Sequence, residues 1–138
     1  MKLFQFAVDE GEQCRLQRLV EMKPASHAKF QWFFKWFEDG LYSFPQKLIA
    51  LAIVEGIFPC SSFAAIYWIR QRGALPGLCF SNDLIARDEQ SNVQFACLLH
   101  VELQEKVTSE CAHAMVGEAV DLEKAFFSGM FTHRLCDT

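Results

Sequence analysis

Apolar residues recur every three or four positions along most of this chain, a spacing that is typical of amphipathic helices. Residues 10–22 carry leucine, valine and methionine at that spacing and predict a first helix. Residues 26–38 predict a second, with Ser26 as the N-cap. Aromatic side chains occupy several faces of this second segment, so we expect it to be packed on more than one side. These are Phe30, Trp32, Phe33, Phe34, Trp36 and Phe37.

A third helix is predicted to begin after Pro45 and to end at Gly73. It would hold about 27 residues and measure ~40 Å at 1.5 Å per residue. Pro59 lies inside it, and proline removes one helical hydrogen bond and clashes with the preceding turn. The sequence therefore predicts a kink or bulge at residues 55–59.

Two more helices follow. Ser81 is the expected N-cap of the fourth, with Asp83 complementing the helix dipole in its first turn, and this helix extends to about Glu105. The fifth is expected to begin after Thr108 and to extend to about Phe127. Few segments alternate with a period of two residues and no strand–helix–strand rhythm is present, so the predicted fold is an all-α bundle of about five helices.

Length and composition fit this picture. The 138 residues suit one domain, predicted over 1–138, and the contents of 51% hydrophobic and 22% charged residues are typical of a packed globular protein. A net charge of −4 without any run of lysine or arginine argues against nucleic-acid binding.

The six cysteines form no Cys-x-x-Cys pair, and residues 1–13 lack the pattern of a signal peptide. We therefore expect reduced and mostly buried thiols in a cytosolic (cytoplasmic) protein. The cysteines are Cys14, Cys60, Cys79, Cys97, Cys111 and Cys136.

Residues 48–69 are long and apolar enough to span a bilayer. Glu55 lies near the middle of this segment, and a carboxylate at that depth is costly in lipid. A transmembrane helix and a buried helix of a soluble bundle are both compatible with the pattern, and we favour the fully buried helix.

Two carboxylates have mainly apolar neighbours, Glu55 in "AIVEGIF" and Glu89 in "LIARDEQ". Carboxylates that project into a bundle core are typical of di-iron and di-manganese proteins, which also use Glu-x-x-His motifs. Asn92 stands where that motif would place histidine after Glu89, and an amide is a poorer ligand for iron than imidazole. In an ideal straight hairpin the two carboxylates would differ in height by about 13 Å, so spacing alone does not bring them together.

A structural ion-pair network is the alternative, in which Asp88 and Glu89 pair with Arg87 or Arg70. The histidines do not complete a metal site, because His100 lies ~16 Å along the helix from Glu89 at 1.5 Å per residue. The others, His27, His113 and His133, belong to different segments and are expected to be surface or hydrogen-bonded side chains.

The run "VEGIF…SFAAIYWIRQRGALPGLCFSNDLIARDEQ" at residues 54–90 closely resembles the small, radical-generating subunit of class I ribonucleotide reductase. The likeness extends more weakly to "CRLQRLVEMKPASHAKFQWFFKWFEDG" and to "AVDLEKAFF", so it covers nearly the whole chain and corresponds to the middle and later part of that family. It implies a partial ferritin-like bundle.

The resemblance also implies functional roles. Glu55 and Glu89 match two carboxylate ligands of the family's di-iron centre, and Asp88 and Arg87 match positions on the route of radical transfer. Phe63 matches an aromatic residue of the pocket around the radical tyrosine. The implied cofactor is iron, and the implied partners are a second small subunit and the large subunit that reduces ribonucleotides for deoxyribonucleotide synthesis and DNA replication. No nucleic acid and no membrane are expected as partners.

Several positions depart from the family pattern. Asn92 replaces a histidine ligand, Pro59 and Cys60 replace Phe and Ser, and neither Tyr42 nor Tyr67 matches the radical tyrosine. The family's earlier ligands have no counterpart, so we expect a truncated chain that is inactive alone and binds iron weakly or not at all. The alternatives are a degenerate, metal-free homologue that binds or regulates reductase subunits, and a fragment without function.

A bundle without its remaining helices would leave apolar faces exposed, such as that of residues 48–69. We therefore expect this chain to form an oligomer or to bind a fuller small subunit.

Overall fold

The computed structural model describes residues 11, 24–38 and 40–132, and within them it contains five helices and no strand. The helices are α1 (Pro24–Phe37), α2 (Phe44–Gly56), α3 (Cys60–Arg70), α4 (Pro76–Glu102) and α5 (Ser109–Thr132). The architecture is all-α and is consistent with an incomplete ferritin-like bundle, as predicted. The helix predicted over 10–22 lies outside the described residues except for Gly11, as does the end of the chain after Thr132.

Helix α1 begins at Pro24, so Ser26 is a buried residue of the first turn and the prediction that it is the N-cap is wrong. Proline suits a first helical position because its fixed φ matches the helix and its missing N–H needs no partner. Of the aromatic residues in α1, Trp32 and Trp36 are buried. Phe30 and Phe34 are exposed, so the helix is packed on one side more fully than on the others.

The predicted third helix is distorted where the kink or bulge was expected. The regular helix is interrupted by a turn over residues 57–59, which separates the segment into α2 and α3. The start of α2 also follows the prediction, with Pro45 in its first turn and the Ser43 N–H donating to Gln46 Oε1 at 2.9 Å. Pro45 therefore lies in the first turn of α2, whereas Pro59 interrupts the helical segment further along the chain.

The span Phe44–Arg70 is long and apolar enough to cross a membrane by length and composition, a test that core helices of soluble proteins also pass. Only 17% of its most apolar window is buried, and Leu51, Tyr67 and Trp68 are all exposed. The prediction that this segment is a fully buried helix is therefore wrong. Neighbouring helices cover only part of its surface.

Helix α4 begins at Pro76, five residues before the predicted N-cap Ser81, and Leu75 occupies the N-cap position with a φ of +50°. Ser81 is thus an interior residue, and Asp83 binds Arg70 of α3 instead of serving the helix dipole. The helix ends at Glu102, slightly before the predicted end.

Helix α5 starts after Thr108, as predicted, and the Thr108 hydroxyl oxygen accepts the Cys111 N–H at 3.3 Å. The helix continues to Thr132, beyond the predicted end at Phe127.

The core lies where α1, α2 and α5 meet. It consists of Trp32, Trp36, Ala50, Ile53, Met115 and Ala119. Helix α2 packs most extensively against α4, and α3 bridges α4 and α5. Small residues such as Ala50 and Ala119, both fully buried, allow the helices to approach closely around the two indole rings.

The four cysteines within the described residues are free thiols. Cys79 is buried and Cys111 half-buried, but Cys60 and Cys97 are exposed, so the expectation of mostly buried thiols is wrong for these residues. Cys14 and Cys136 lie outside the described part.

Candidate functional site

The polar cluster between α2 and α4 contains Glu55, Glu89 and Asn92. The Asn92 side-chain amide donates a hydrogen bond to Glu55 Oε2 at 3.1 Å. Glu89 also hydrogen-bonds Glu55 through its side chain. The two carboxyl groups that the sequence could not bring together therefore meet, and the amide of Asn92 joins them.

Glu55 and Glu89 lie at similar heights along the paired helices because the helix boundaries differ from the prediction. Fifteen residues separate Glu55 from the end of α3 at Arg70, and thirteen separate Pro76, where α4 begins, from Glu89. The difference of two residues corresponds to about 3 Å at 1.5 Å per residue. The earlier start of α4 thus removes most of the expected mismatch.

The Glu89 pKa is raised to about 7. The main cause is the hydrogen bond with Glu55, which the protonated carboxyl of Glu89 can donate. Burial, the negative charge of Glu55 and that of Asp88 raise the pKa further. When Glu89 is protonated, Glu55 accepts hydrogen bonds from both Glu89 and Asn92.

A glycine beside Glu55 sets the distance between the two helices. A Cβ atom at Gly56 would lie 3.1 Å from Cγ2 of Val93, the residue that follows Asn92. That distance is shorter than ordinary van der Waals separations, so the missing side chain permits the close approach. The contact between Gly56 and Val93, the residues that directly follow Glu55 and Asn92, therefore helps to place the polar cluster.

The residues of this cluster do not fit a di-iron centre. No group of three or more histidine, cysteine, aspartate or glutamate side chains is positioned to hold a metal ion within the described part of the chain. The cluster supplies two carboxyl groups and an amide whose N–H₂ faces a carboxylate. Because an N–H₂ group donates hydrogen and offers no lone pair to a metal, this arrangement favours a hydrogen-bonded cluster.

The alternative ion-pair network, in which Asp88 and Glu89 pair with Arg87 or Arg70, does not form with Arg70. Arg70 binds Asp83 through both carboxylate oxygens at 3.0 and 2.9 Å, so it pairs with neither Asp88 nor Glu89. Arg87 and Asp88 are exposed on α4, and the Arg87 carbonyl accepts the Ser91 hydroxyl at 3.0 Å. Their expected role in radical transfer stays a prediction.

The other positions named from the resemblance lie around the α2–α3 turn. Phe63 is half-buried in α3, and its N–H donates to the Pro59 carbonyl at 2.9 Å. Cys60 starts α3 with its side chain largely exposed, and partial desolvation, together with the negative charge of Glu123, raises the pKa of its thiol. Tyr42 packs against Trp36 with ring centroids 4.5 Å apart, far along the chain from this turn.

The described histidines have local roles. The His100 imidazole Nε2 accepts the Val107 N–H at 3.3 Å and so closes the connection between α4 and α5. His113 contacts the Ser109 carbonyl one turn earlier at 2.7 Å. His27 is exposed, and His133 lies outside the described residues.

A second polar cluster, which the sequence did not single out, lies between α1, α3 and α5. The Lys29 ammonium forms an ion pair with Glu123, donates to the Phe58 carbonyl at 3.0 Å and lies 3.6 Å from the centre of the Phe126 ring. Glu123 Oε1 accepts the Ser61 N–H at 2.7 Å, at the first turn of α3. The available signal was Lys29, one of two lysines in an aromatic helix, since a charge buried among aromatic side chains requires a partner.

The whole chain, residues 1–138, matches the family model described as ribonucleotide reductase, small chain. The chain is 46% identical over 118 residues to a ribonucleoside-diphosphate reductase small chain of Nicotiana tabacum, covering 86% of this chain and 36% of that protein. It is 39% identical over 127 residues to the small chain of Spisula solidissima, covering 92% of this chain and 33% of that protein.

A small subunit of the same reductase from Dictyostelium discoideum is 41% identical over 118 residues, covering 86% of this chain and 35% of that protein. The chain thus spans about a third of the length of the relatives that it matches. Together, the family match and these identities show that the chain belongs to the ribonucleotide reductase small-chain family.

Proposed function

We propose that this chain acts as a small-subunit component of ribonucleoside-diphosphate reductase and that, on its own, it does not generate a radical. One observation carries the proposal: Asn92, at a position where the resemblance implies a histidine ligand, donates its amide N–H to Glu55. Family membership supports the reductase context. The chemistry of the amide opposes metal binding at the two carboxyl groups.

A metal ion at this cluster would have to displace the hydrogen bonds that Glu55 already accepts. Iron would need Glu55 and Glu89 deprotonated and free, but Glu55 already accepts hydrogen bonds from Asn92 and Glu89. Binding would break both hydrogen bonds and release the proton of Glu89. Asn92 would contribute only a weak amide oxygen after turning around. We therefore expect iron affinity to be weak.

Iron titration tests this proposal. Purified chain would be loaded with iron(II) under air and followed by absorption and electron paramagnetic resonance spectroscopy. The expected result is neither a stoichiometric di-iron band nor a tyrosyl radical. A full di-iron band with a radical signal would refute the proposal.

The variant Asn92→His supplies the matched comparison, because it restores the residue type that the family pattern has. It removes one hydrogen bond to Glu55 and adds an imidazole lone pair. Divalent-metal affinity, measured by calorimetry with manganese, should increase at least tenfold. Unchanged affinity in a variant with an intact circular dichroism spectrum would show that Glu55, Glu89 and residue 92 do not assemble around a metal.

The partners that the resemblance implies are a second small subunit and the large reductase subunit. The same family membership that supports the reductase context makes these the partners to test first. Co-sedimentation of the chain with purified subunits of a relative would measure binding, and the ribonucleotide reduction rate of the mixture would reveal a regulatory effect. A change in rate with no iron bound would support the metal-free, regulatory alternative, which the Asn92–Glu55 hydrogen bond favours.

A further inference from the structure

An apolar cavity of about 420 Å³ lies between α1, α2 and α5. Val54 of α2 lines this cavity, whereas the next residue, Glu55, contacts Asn92 of α4. The cavity is therefore separate from the polar cluster described above. Its apolar lining consists of Phe30, Phe33, Phe34, Val54, Phe58 and Phe126.

Contacts behind the lining hold two of these rings in place. The Phe58 ring meets the indole of the buried Trp32 edge-on, with ring centroids 5.3 Å apart. The Lys29 ammonium lies 3.6 Å from the centre of the Phe126 ring. Because neighbouring groups fix these rings, the cavity is largely formed before any ligand enters it, as small-molecule sites usually are.

Phe30 and Phe34 form the mouth of the cavity. Their side chains are 49% and 65% exposed, whereas Phe33, Phe58 and Phe126 are half-buried. A ligand can therefore reach the deeper rings from solvent. On entering, it would also remove apolar surface of the two mouth residues from water, which favours binding.

The volume of the cavity sets the size of the ligand. An apolar cavity of roughly 150 Å³ binds a single benzene ring. At about 420 Å³, this cavity therefore suits a molecule of two or three rings. Aromatic rings are favoured over aliphatic chains of the same size, because phenylalanine side chains offer them edge-to-face and offset-stacked contacts in addition to the burial of area.

The charges around the cavity favour a neutral ligand. Ser26 and Lys29 are the polar residues that the described part of the chain contributes to the lining. The Lys29 ammonium is already paired with Glu123 and donates to the Phe58 carbonyl at 3.0 Å. An anion would have to compete with Glu123 for this ammonium. A cation would meet the charge of Lys29 without a carboxylate among the described lining residues, and an uncompensated charge is costly in apolar surroundings.

We propose that this cavity binds a neutral aromatic small molecule of two or three rings. The molecule lies against the half-buried rings of Phe33, Phe58 and Phe126, and its outer edge contacts Phe30 and Phe34. This inference goes beyond the proposed function, because it concerns a different part of the bundle and involves neither iron nor a reductase subunit.

A fluorescence titration tests whether the site binds. The full chain would be titrated into a trace of N-phenyl-1-naphthylamine, a neutral three-ring probe whose emission increases in apolar surroundings. The emission should follow one-site saturation with a dissociation constant on the order of 100 μM or tighter. Absence of saturation, as expected if another part of the chain occupies the cavity in solution, would overturn the proposal.

Substitution at the mouth tests where the probe binds. Phe30→Ala removes one ring of the mouth and should raise the dissociation constant at least fivefold. Phe44→Ala is the matched control, since Phe44 is 58% exposed but does not line the cavity, and it should change the constant less than twofold. Equal effects of the two substitutions would overturn the proposal. If circular dichroism shows that Phe30→Ala loses helix, Phe34→Ala replaces it in the same comparison with the same expected outcomes.

Displacement of the probe tests the chemical class of the ligand. Biphenyl, which is neutral, should displace N-phenyl-1-naphthylamine. Biphenyl-4-carboxylate should do so at least tenfold less effectively, because its anion competes with Glu123 for Lys29. The cation of biphenyl-4-methylamine should be weaker than biphenyl by a similar factor, because it is repelled by Lys29. Displacement by either ion as effective as that by biphenyl would overturn the assignment of a neutral ligand.

Discussion

The buried ion pair between Lys29 and Glu123 provides the sharpest test of how this fold is held together. Their side chains are 13% and 10% exposed, so both charges lie largely out of water. We predict that Lys29→Met will lower the free energy of unfolding by about 3 kcal/mol, because removing one partner of a buried pair leaves the other charge uncompensated. Methionine retains most of the apolar volume of lysine, so the loss reports mainly on charge.

The magnitude follows from what each group retains. Without Lys29, the Ser61 N–H at 2.7 Å is the hydrogen-bond donor that the described residues still offer to the Glu123 carboxylate, and the Phe58 carbonyl loses the Lys29 donor. The contact with the Phe126 ring is also lost, which is worth about 1 kcal/mol at a partly desolvated site. The remaining hydrogen bond from Ser61 keeps the expected loss near the lower end of the ~3–5 kcal/mol range for broken buried pairs.

Urea denaturation followed by tryptophan fluorescence would measure this loss, with Lys35→Met as the matched control. Lys35 also binds a glutamate, Glu118, at 3.2 Å, but both side chains are 47% exposed. Its removal should therefore cost less than about 1 kcal/mol. The double variant Lys29→Met/Glu123→Leu should lose less than the sum of the two single variants, because it leaves no buried charge. A loss for Lys29→Met no larger than that for Lys35→Met would refute the reasoning.

Three further predictions concern α2, α4 and α5. The pKa of Glu89 is raised to about 7 in the folded chain from about 4.5 in the unfolded chain, so its stabilising contribution is complete below pH 4.5 and is lost as the pH rises through 7. Because solvent screens this partly exposed group, we expect about 1 kcal/mol between pH 5 and 8, which Glu89→Gln should abolish in denaturation curves at several pH values. Gly56→Val should lower the free energy of unfolding by about 2 kcal/mol, because its side chain would overlap Val93, and adding Val93→Ala should recover part of that stability. Gly117→Ala, with open space around it, should instead raise the free energy of unfolding by about 0.5–1 kcal/mol in the same urea assay. Leu75→Gly should stabilise by about 1 kcal/mol because Leu75 has a φ of +50°, and a lower melting temperature in calorimetry would contradict the assignment of strain there.

The sequence was sufficient to predict the helical class and most interruptions, because these depend on local chemistry. The apolar periodicity predicts helices wherever the structure describes them, and Pro59 marks the break between α2 and α3. The start of α5 after Thr108 is also a local capping effect. The N-caps at Ser26 and Ser81 are wrong for a local reason as well, since Pro24 and Pro76 begin those helices earlier.

Burial could not be predicted in the same way. The aromatic residues on several faces of α1 predict packing on more than one side, yet the structure leaves Phe30 and Phe34 exposed. Whether an apolar side chain is buried depends on which helix packs over it, and that is a property of the assembled bundle. Periodicity identifies an apolar face but not the element that covers it.

For the candidate site, the sequence alone determined the identity of the groups: Glu55 and Glu89 as carboxyl groups among apolar neighbours, and Asn92 where a ligand histidine was expected. Only the tertiary structure decided that they touch, because contact between α2 and α4 depends on the exact start of α4 and on the space that Gly56 leaves beside Val93. The tertiary structure also decided that Lys29 pairs with Glu123, because these two residues lie far apart in the sequence and no local spacing relates them. Local backbone preferences act over a few residues, whereas these contacts form only when helices far apart in the chain pack at a particular distance and height.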